Sequence, residues 1–318
     1  MIRWVVYIFA LAVLFYSPFV GSVDLDIAKI FQEKTMDATL FFSIRLPHLL
    51  LTFFAGFILA LGGLVFQSIF RNDLMTPYTL GISSGAVLGA GIALRFGLSA
   101  AFLGISFVEL FGFFGAFLSV VFILYLSRFL RGNNTSSLLL LGIALSLFYT
   151  ASLMVLFYLG ESIQNDILLR YSMGSLSIVG WNAPVLIMVF GVIFFIWVYL
   201  LRYELGFMSL SSEYARQKGV DVKKVTYGLL FLSSLVIGVL ISITGPIGFV
   251  GLVVPHIVKK LFDIPLHQRL LQTVLFGGVF LVGCDMLSRI LQTNSELPIG
   301  IVTSFIGAPF FVYLIVRK

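Results

Sequence analysis

Charged residues are scarce in this chain of 318 amino acids. Asp, Glu, Lys and Arg together make up 11% of it, while 60% of the residues are hydrophobic. Soluble domains carry roughly 25% charged residues, so a water-soluble fold of this length would expose too much apolar surface. A lipid bilayer removes that difficulty because its core is itself apolar. The composition therefore excludes an ordinary soluble protein and indicates a single transmembrane domain over residues 1–318.

Residues that carry chemistry are also few. The single cysteine, Cys284, lies in an apolar stretch and excludes a disulfide framework. The three histidines, His48, His256 and His267, are scattered and lack the spacing of a zinc site. No G-x-x-x-x-G-K-[ST] phosphate loop is present, so we expect no nucleotide site in this chain. We expect no bound cofactor, no metal, no nucleic-acid partner and no enzymatic activity.

Long apolar runs dominate what the chain does contain. A helix of about 20 apolar residues crosses the bilayer core. Ten runs predict an all-α integral membrane protein, a single bundle of about ten transmembrane helices near residues 4–21, 47–70, 79–95, 107–129, 137–159, 182–201, 226–244, 247–258, 270–289 and 299–316. The run at 247–258 is short and lies between Pro246 and Pro255. We expect a broken or half-length helix there, shielded by its neighbours.

Basic residues concentrate on one side of this predicted bundle. Cytoplasmic loops of membrane proteins carry an excess of Lys and Arg. With ten spans, 14 of the 20 basic residues fall on the side of the two termini and 6 on the other side. The distribution predicts that the amino and carboxyl termini are both cytoplasmic.

Small residues recur at every fourth position in three of the predicted helices. Helices in lipid associate through close contact of small residues, because the hydrophobic effect between them is weak. The predicted packing or pathway positions are Gly81, Gly85, Gly89, Gly300, Ser304 and Ala308, and Gly142, Ser146 and Thr150 repeat the pattern. Two interpretations stay open: simple helix packing, and slim faces that border a central passage.

Ionisable residues are almost absent from the predicted spans. Ion-coupled transporters generally need such groups facing a cavity in the membrane. Asp285 is the main exception, and Arg289 follows four residues later, a spacing that suits a local ion pair. The lack of a carboxylate relay indicates a driving force from outside this chain. An ion-coupled secondary transporter of a small solute is the alternative, and a membrane-embedded enzyme or an assembly subunit fits less well.

One polar stretch on the predicted cytoplasmic face, at about 205–225, suits a partner protein. Ser211 or Ser212 can cap a short helix over residues 213–217, and Gly219 would end it. A short helix held at the membrane face is a docking element. An ordinary solvated loop is the other interpretation.

Four stretches resemble sequence blocks of the FecCD-type iron-complex permease family. They are IRLPHLLL from Ile44, TLGISSGAVLGA from Thr79, GPIGFVGLVVPHI from Gly245 and ELPIGIVTSFIGAPFF from Glu296. In order and spacing they cover the chain from about residue 40 to its end. The resemblance implies a ten-helix permease in the bacterial cytoplasmic (inner) membrane, part of an ABC importer for a ferric siderophore, haem or cobalamin.

The same resemblance implies partners. It predicts a second permease subunit, identical or homologous, and two ATP-binding subunits that hold ATP and Mg. It also predicts a periplasmic or lipid-anchored substrate-binding protein that delivers the cargo.

The resemblance further assigns roles to single residues. Binding-protein docking is implied for Arg45, His48 and Arg289, where His48 occupies a position at which the family commonly has Arg. ATPase coupling is implied for Leu210, Ser211, Ser212, Glu213, Ala215, Arg216 and Gly219. A cytoplasmic gate is implied for Asn72, Leu74, Thr135 and Ser136.

Overall fold

The computed structural model describes residues 2–21, 26–30, 35–98, 101–102, 105–127, 129, 135–291 and 297–316. These residues are mainly helical, and one short antiparallel pair joins β1 (Ala101–Phe102) and β2 (Ile105–Ser106). A helix satisfies its own backbone hydrogen bonds, as a segment inside lipid must. The predicted all-α class is confirmed.

Fifteen α-helices follow one another in the described part of the chain. They are α1 (Ile2–Tyr16), α2 (Ile27–Ile30), α3 (Met36–Leu40), α4 (Leu46–Phe70), α5 (Ile82–Arg95), α6 (Phe107–Ser127), α7 (Thr135–Leu159), α8 (Ser162–Ser172), α9 (Asn182–Leu200), α10 (Arg202–Leu210), α11 (Ser212–Gln217), α12 (Val222–Thr244), α13 (Val250–Phe262), α14 (Leu266–Ile290) and α15 (Ile299–Val316). Tighter or wider helical turns lie at Ser17–Phe19, Phe41–Arg45 and Pro77–Leu80.

Helix length and apolar character support the membrane interpretation. Among the described residues, six helices are long and apolar enough to cross a bilayer: Met36–Phe70, Phe107–Leu126, Ser137–Leu159, Asn182–Leu200, Val222–Thr244 and Leu266–Ile290. Shorter apolar helices cover Tyr7–Phe19, Ile82–Arg95 and Ile299–Tyr313. With α13 (Val250–Phe262) added to these nine, each of the ten predicted apolar runs contains a helix.

The short run after Gly245 differs in detail from its prediction. It forms a half-length helix, Val250–Phe262, as expected, but this helix continues through Pro255 instead of stopping before it. A proline inside a helix removes one backbone hydrogen bond, and membrane helices tolerate that loss where neighbouring protein supports the freed carbonyl.

The chain folds as two compact units. The first consists of Met1–Leu61, Ser175–Tyr199 and Gly248–Lys318. The second consists of Gly62–Gly174 and Leu200–Ile247.

Close contact between α4 and α14 forms part of the core of the first unit. A Cβ atom on Gly56 would collide with the carbonyl oxygen of Gly277, and a Cβ on Gly278 would collide with the ring of Phe53. Glycine is required on both helices because their backbones touch. The contact shows how helices with little polar surface attain tight packing in lipid.

A second backbone contact joins α5 and α6 in the other unit. A Cβ atom on Gly89 would collide with the carbonyl oxygen of Phe111, and one on Gly115 would collide with the carbonyl oxygen of Gly85. Small residues on both helices thus interlock. Any larger side chain at these positions has to push the helices apart.

Two half-buried tyrosines support the break between α12 and α13. The hydroxyl of Tyr171, at the end of α8, donates to the carbonyl oxygen of Ile241 at 2.7 Å. The hydroxyl of Tyr78 accepts a hydrogen bond from the backbone N–H of Ile247 at 2.8 Å. Helix ends leave backbone groups without partners, so side chains that reach them stabilise an interruption in the membrane.

Candidate coupling and docking sites

The polar stretch between α10 and α12 contains a capped helix. Ser211 is extended, and its hydroxyl accepts a hydrogen bond from the backbone N–H of Glu213 at 3.1 Å. This bond satisfies one of the N–H groups that every helix start leaves free. Of the two serines that the sequence offers as caps, Ser211 has that role, and Ser212 is the first residue of α11. Gly219, with a φ of +82°, follows the helix where the sequence predicts its end.

Side chains hold α11 against α10. Ala215 is fully buried, and the rings of Tyr214 and Phe207 meet edge to face with their centroids 5.8 Å apart. Glu213 and Arg216 point outward and are exposed. One face of this six-residue helix therefore packs against α10, and the other face is polar and exposed. This is the form expected of a docking helix.

The ends of α10 and α12, on either side of α11, are held by a buried leucine and a helix cap. At the end of α10, Leu210 exposes 72% of its surface, whereas Leu205 is fully buried. At the start of α12, the carboxylate of Asp221 accepts a hydrogen bond from the backbone N–H of Lys224 at 3.1 Å. That bond, with the nearby Lys224 ammonium, lowers the pKa of Asp221. The buried Leu205 and the Asp221 cap thus stabilise the helix ends on either side of α11.

A buried ionic cluster lies near the end of α14, with Asp285 at its centre. The Asp285 Oδ1 atom lies 2.9 Å from Nε2 of His48, and Oδ2 lies 2.8 Å from Nη2 of Arg289. The Asp285 side chain is only 6% exposed. A carboxylate so far from water needs opposite charge or hydrogen-bond donors beside it. The predicted pair of Asp285 and Arg289 is confirmed, and the structure adds His48 as a second partner.

Two arginines fix the segment that follows α1. Arg289 donates through Nη1 to the carbonyl oxygen of Val20 at 2.7 Å and through Nη2 to the hydroxyl of Ser17 at 2.9 Å. Arg45 donates through Nη1 to the carbonyl oxygen of Pro18 at 3.0 Å. A guanidinium presents several donors in one plane, so it can tie a carboxylate and backbone carbonyls together. Of the three residues predicted for docking, His48 and Arg289 share Asp285, and Arg45 holds the same 17–20 segment that Arg289 holds. Docking itself stays a prediction.

The contact of His48 with Asp285 was missed at the level of sequence. The two residues are 237 positions apart, and no local spacing links them. The alignment of α4 against α14 explains this contact, and it is fixed where Gly56 touches Gly277. His48 lies eight residues before Gly56 and Asp285 lies eight residues after Gly277. On helices that run in opposite directions, eight residues rise by about 12 Å on each, so both side chains reach the same level.

The predicted gate residues fall in two parts of the chain. Asn72 and Leu74 lie in the turn after α4, where Oδ1 of Asn72 accepts a hydrogen bond from the backbone N–H of Leu74 at 3.0 Å. Thr135 and Ser136 form the start of α7, and their side chains lie outside the described residues. The structure brings Asn72 and Leu74 together in one turn, and a gate role for the four residues stays a prediction.

The glycine stripe on the third predicted span is shorter than its pattern. Gly85 and Gly89 lie on the face of α5 that packs against α6. Gly81 has a φ of +73° and precedes the helix, which begins at Ile82. Because a left-handed residue cannot continue a right-handed helix, Gly81 does not share that helical face.

The stripe on α15 has a different environment. Among its described side chains the buried ones are Ile299, Val302, Thr303 and Gly307, and a Cβ on Gly307 would collide with Phe249. The predicted positions Gly300 and Ser304 are half-buried, and Ala308 is exposed. The predicted stripe is therefore not the main packing face of α15 within this chain.

These features define a class of protein. Long apolar helices that pack through glycine, with an anchored polar helix between two of them, are the features of a multi-pass membrane protein. The sequence profile of the FecCD transport family matches residues 9–317. The chain belongs to the FecCD transport family, as its sequence blocks indicated.

Individual relatives agree with the family match. The chain is similar to the hemin transport system permease protein HmuU of Yersinia pestis, with 34% identity over 306 residues, 95% of this chain and 91% of that protein. It is also similar to the vitamin B12 import system permease protein BtuC of Vibrio cholerae serotype O1, with 31% identity over 285 residues, 90% of this chain and 85% of that protein.

A solved structure extends the likeness to the fold. It is described as an inward-facing conformation of a metal-chelate type ABC transporter. The TM-score is 0.86 at 27% sequence identity, and the match covers 100% of this chain and 99% of that one. The chain is thus a permease subunit of an ABC importer.

Proposed function

We propose that this permease carries an iron complex, such as a ferric siderophore or haem, or else cobalamin, across a bacterial cytoplasmic membrane. The observation that supports this most strongly is the match to haem and vitamin B12 permeases along at least nine tenths of the chain. Two separate subunits bind and hydrolyse ATP, and a substrate-binding protein delivers cargo at the opposite face. A second permease subunit, identical or homologous, completes the pathway.

The local geometry of α11 supports the coupling part of this proposal. Closure of an ATPase dimer would push on the exposed face of α11, and the buried Ala215 would pass that movement to the ends of α10 and α12. No group in this scheme needs to change its charge. The near absence of ionisable residues from the long helices fits a transporter whose energy arrives by mechanical contact.

The cargo can be tested with the complete transporter in vesicles. The permease, its ATPase subunit and a cognate binding protein are reconstituted, and ferric hydroxamate, ferric catecholate, ferric citrate, haem and cobalamin are offered in turn as radiolabelled complexes. We expect uptake of one of these classes, and only when the binding protein is present. Uptake of free ferric ion or of small solutes without a binding protein would contradict the proposed cargo.

We also propose ten membrane crossings with both termini in the cytoplasm, which places α11 and Glu161 on opposite sides. The single native cysteine, Cys284, is buried and gives a low labelling background. In intact cells, a membrane-impermeant thiol reagent should label Glu161→Cys but not Lys218→Cys. Lys218→Cys should react only after the membrane is opened. Labelling of both variants in intact cells would rule out this topology.

A further inference from the structure

We propose that Asp285 is a positioning residue for the binding protein. By holding His48 and Arg289, it fixes these two side chains, and through Arg289 the turn at 17–21, in one arrangement that the partner can recognise. The inference rests on the proposed function, since it requires a binding protein that docks on this face.

The low exposure of His48 and Arg289 argues against a simple contact in which freely moving cations meet the partner. The side chains of His48 and Arg289 are only 15% and 16% exposed, and both point at the Asp285 carboxylate. A partner therefore meets the edges of side chains that are already fixed. Long side chains lose rotamer freedom when a complex orders them, and a surface that is fixed beforehand avoids that loss.

The contacts of Arg289 show what Asp285 contributes to the position of its guanidinium. The backbone carbonyl of Val20 and the hydroxyl of Ser17 hold one edge of the guanidinium with well-directed hydrogen bonds. The Nη2 atom also lies 2.8 Å from Oδ2 of Asp285, which makes an ion pair with the carboxylate. Charge attraction therefore supplies the contribution of Asp285. An asparagine would leave the shape nearly intact and remove the attraction, and His48 would lose its charged acceptor.

The test uses the complete transporter in vesicles with increasing amounts of cargo-loaded binding protein. For Asp285→Asn, the binding-protein concentration that gives half-maximal uptake should rise about tenfold, the effect of two side chains that must now be ordered on binding. The maximal rate at saturating binding protein should stay close to that of the wild type. A purely structural defect would lower the maximal rate instead.

Three further variants complete the experiment. Asp263→Asn makes the same change at an exposed left-handed residue after α13, where asparagine is tolerated. It should alter neither the half-maximal binding-protein concentration nor the maximal rate. Asp285→Glu keeps the charge and should raise the half-maximal concentration less than Asp285→Asn does, and it remains usable where Asp285→Asn fails to fold. In an Arg289→Lys background, Asp285→Asn should have a smaller effect than it has alone, because the planar fork is already lost.

The outcomes distinguish the inference from the function beneath it. The positioning role would be overturned if both Asp285 variants reached half-maximal uptake at the same binding-protein concentration as the wild type. A fall in maximal rate alone would overturn it as well. A wild-type transporter that responds to no binding protein would overturn the proposed function itself.

Discussion

ATP-driven uptake is expected to fall about a hundredfold when Glu213–Arg216 is replaced by Gly-Ser-Gly-Ser, because two glycines and the loss of the Tyr214 ring contact destabilise α11 by roughly 3 kcal/mol. The replacement removes the buried Ala215 as well as the outward charges. The permease should still insert and fold, since the altered residues lie between α10 and α12 rather than inside a long apolar helix. Uptake and ATP hydrolysis are measured together in vesicles.

A matched variant separates the shape of α11 from its charge. Glu213→Ala combined with Arg216→Ala keeps a helix, because alanine is the best helix former, and it leaves Tyr214 and Ala215 in place. We expect this variant to retain most uptake. Normal uptake by the Gly-Ser variant would contradict the coupling role of α11, and equal loss in both variants would assign that role to the two charges.

Substitution of Gly89 is expected to have the largest effect on stability. Gly89→Leu places a side chain against the carbonyl of Phe111, where the backbones of α5 and α6 touch. Overpacking of this kind typically costs about 1–3 kcal/mol, and more where backbone must move. We expect a clear drop in the thermal unfolding midpoint and a large loss of monodisperse protein in detergent.

Gly228 provides the matched control for that experiment. It lies in α12 in the same compact unit, and nothing lies within 4 Å of the position that a Cβ would occupy. Gly228→Leu should be neutral or slightly stabilising, since leucine favours a helix more than glycine does. Equal unfolding midpoints for Gly89→Leu and the wild type would show that α5 and α6 do not pack as described.

Local chemistry made much of this fold predictable. Apolar runs located the helices because each helix in lipid must satisfy its backbone within one segment. The start and end of α11 were predictable from Ser211 and Gly219, since a cap and a helix stop depend on the neighbouring residues alone. The break near Gly245 was visible from proline for the same reason.

Features that depend on how distant segments meet were not predictable. Pro255 alone suggests a helix boundary, yet α13 continues through it. Gly81 fits the spacing of Gly85 and Gly89, yet its backbone conformation removes it from their face. The partner of Asp285 depends on the register of α4 against α14, which hydropathy does not encode. Such a register comes from glycine contacts that only the folded chain displays.

The source of energy tests the account most directly. Vesicles with the permease in their membrane are prepared with and without the ATPase subunit. ATP or a non-hydrolysable analogue is enclosed, and cargo-loaded binding protein is added outside. The account predicts uptake only with the ATPase subunit and hydrolysable ATP, and no change when ionophores abolish ion gradients. Uptake that follows an imposed ion gradient in vesicles without the ATPase subunit would contradict it.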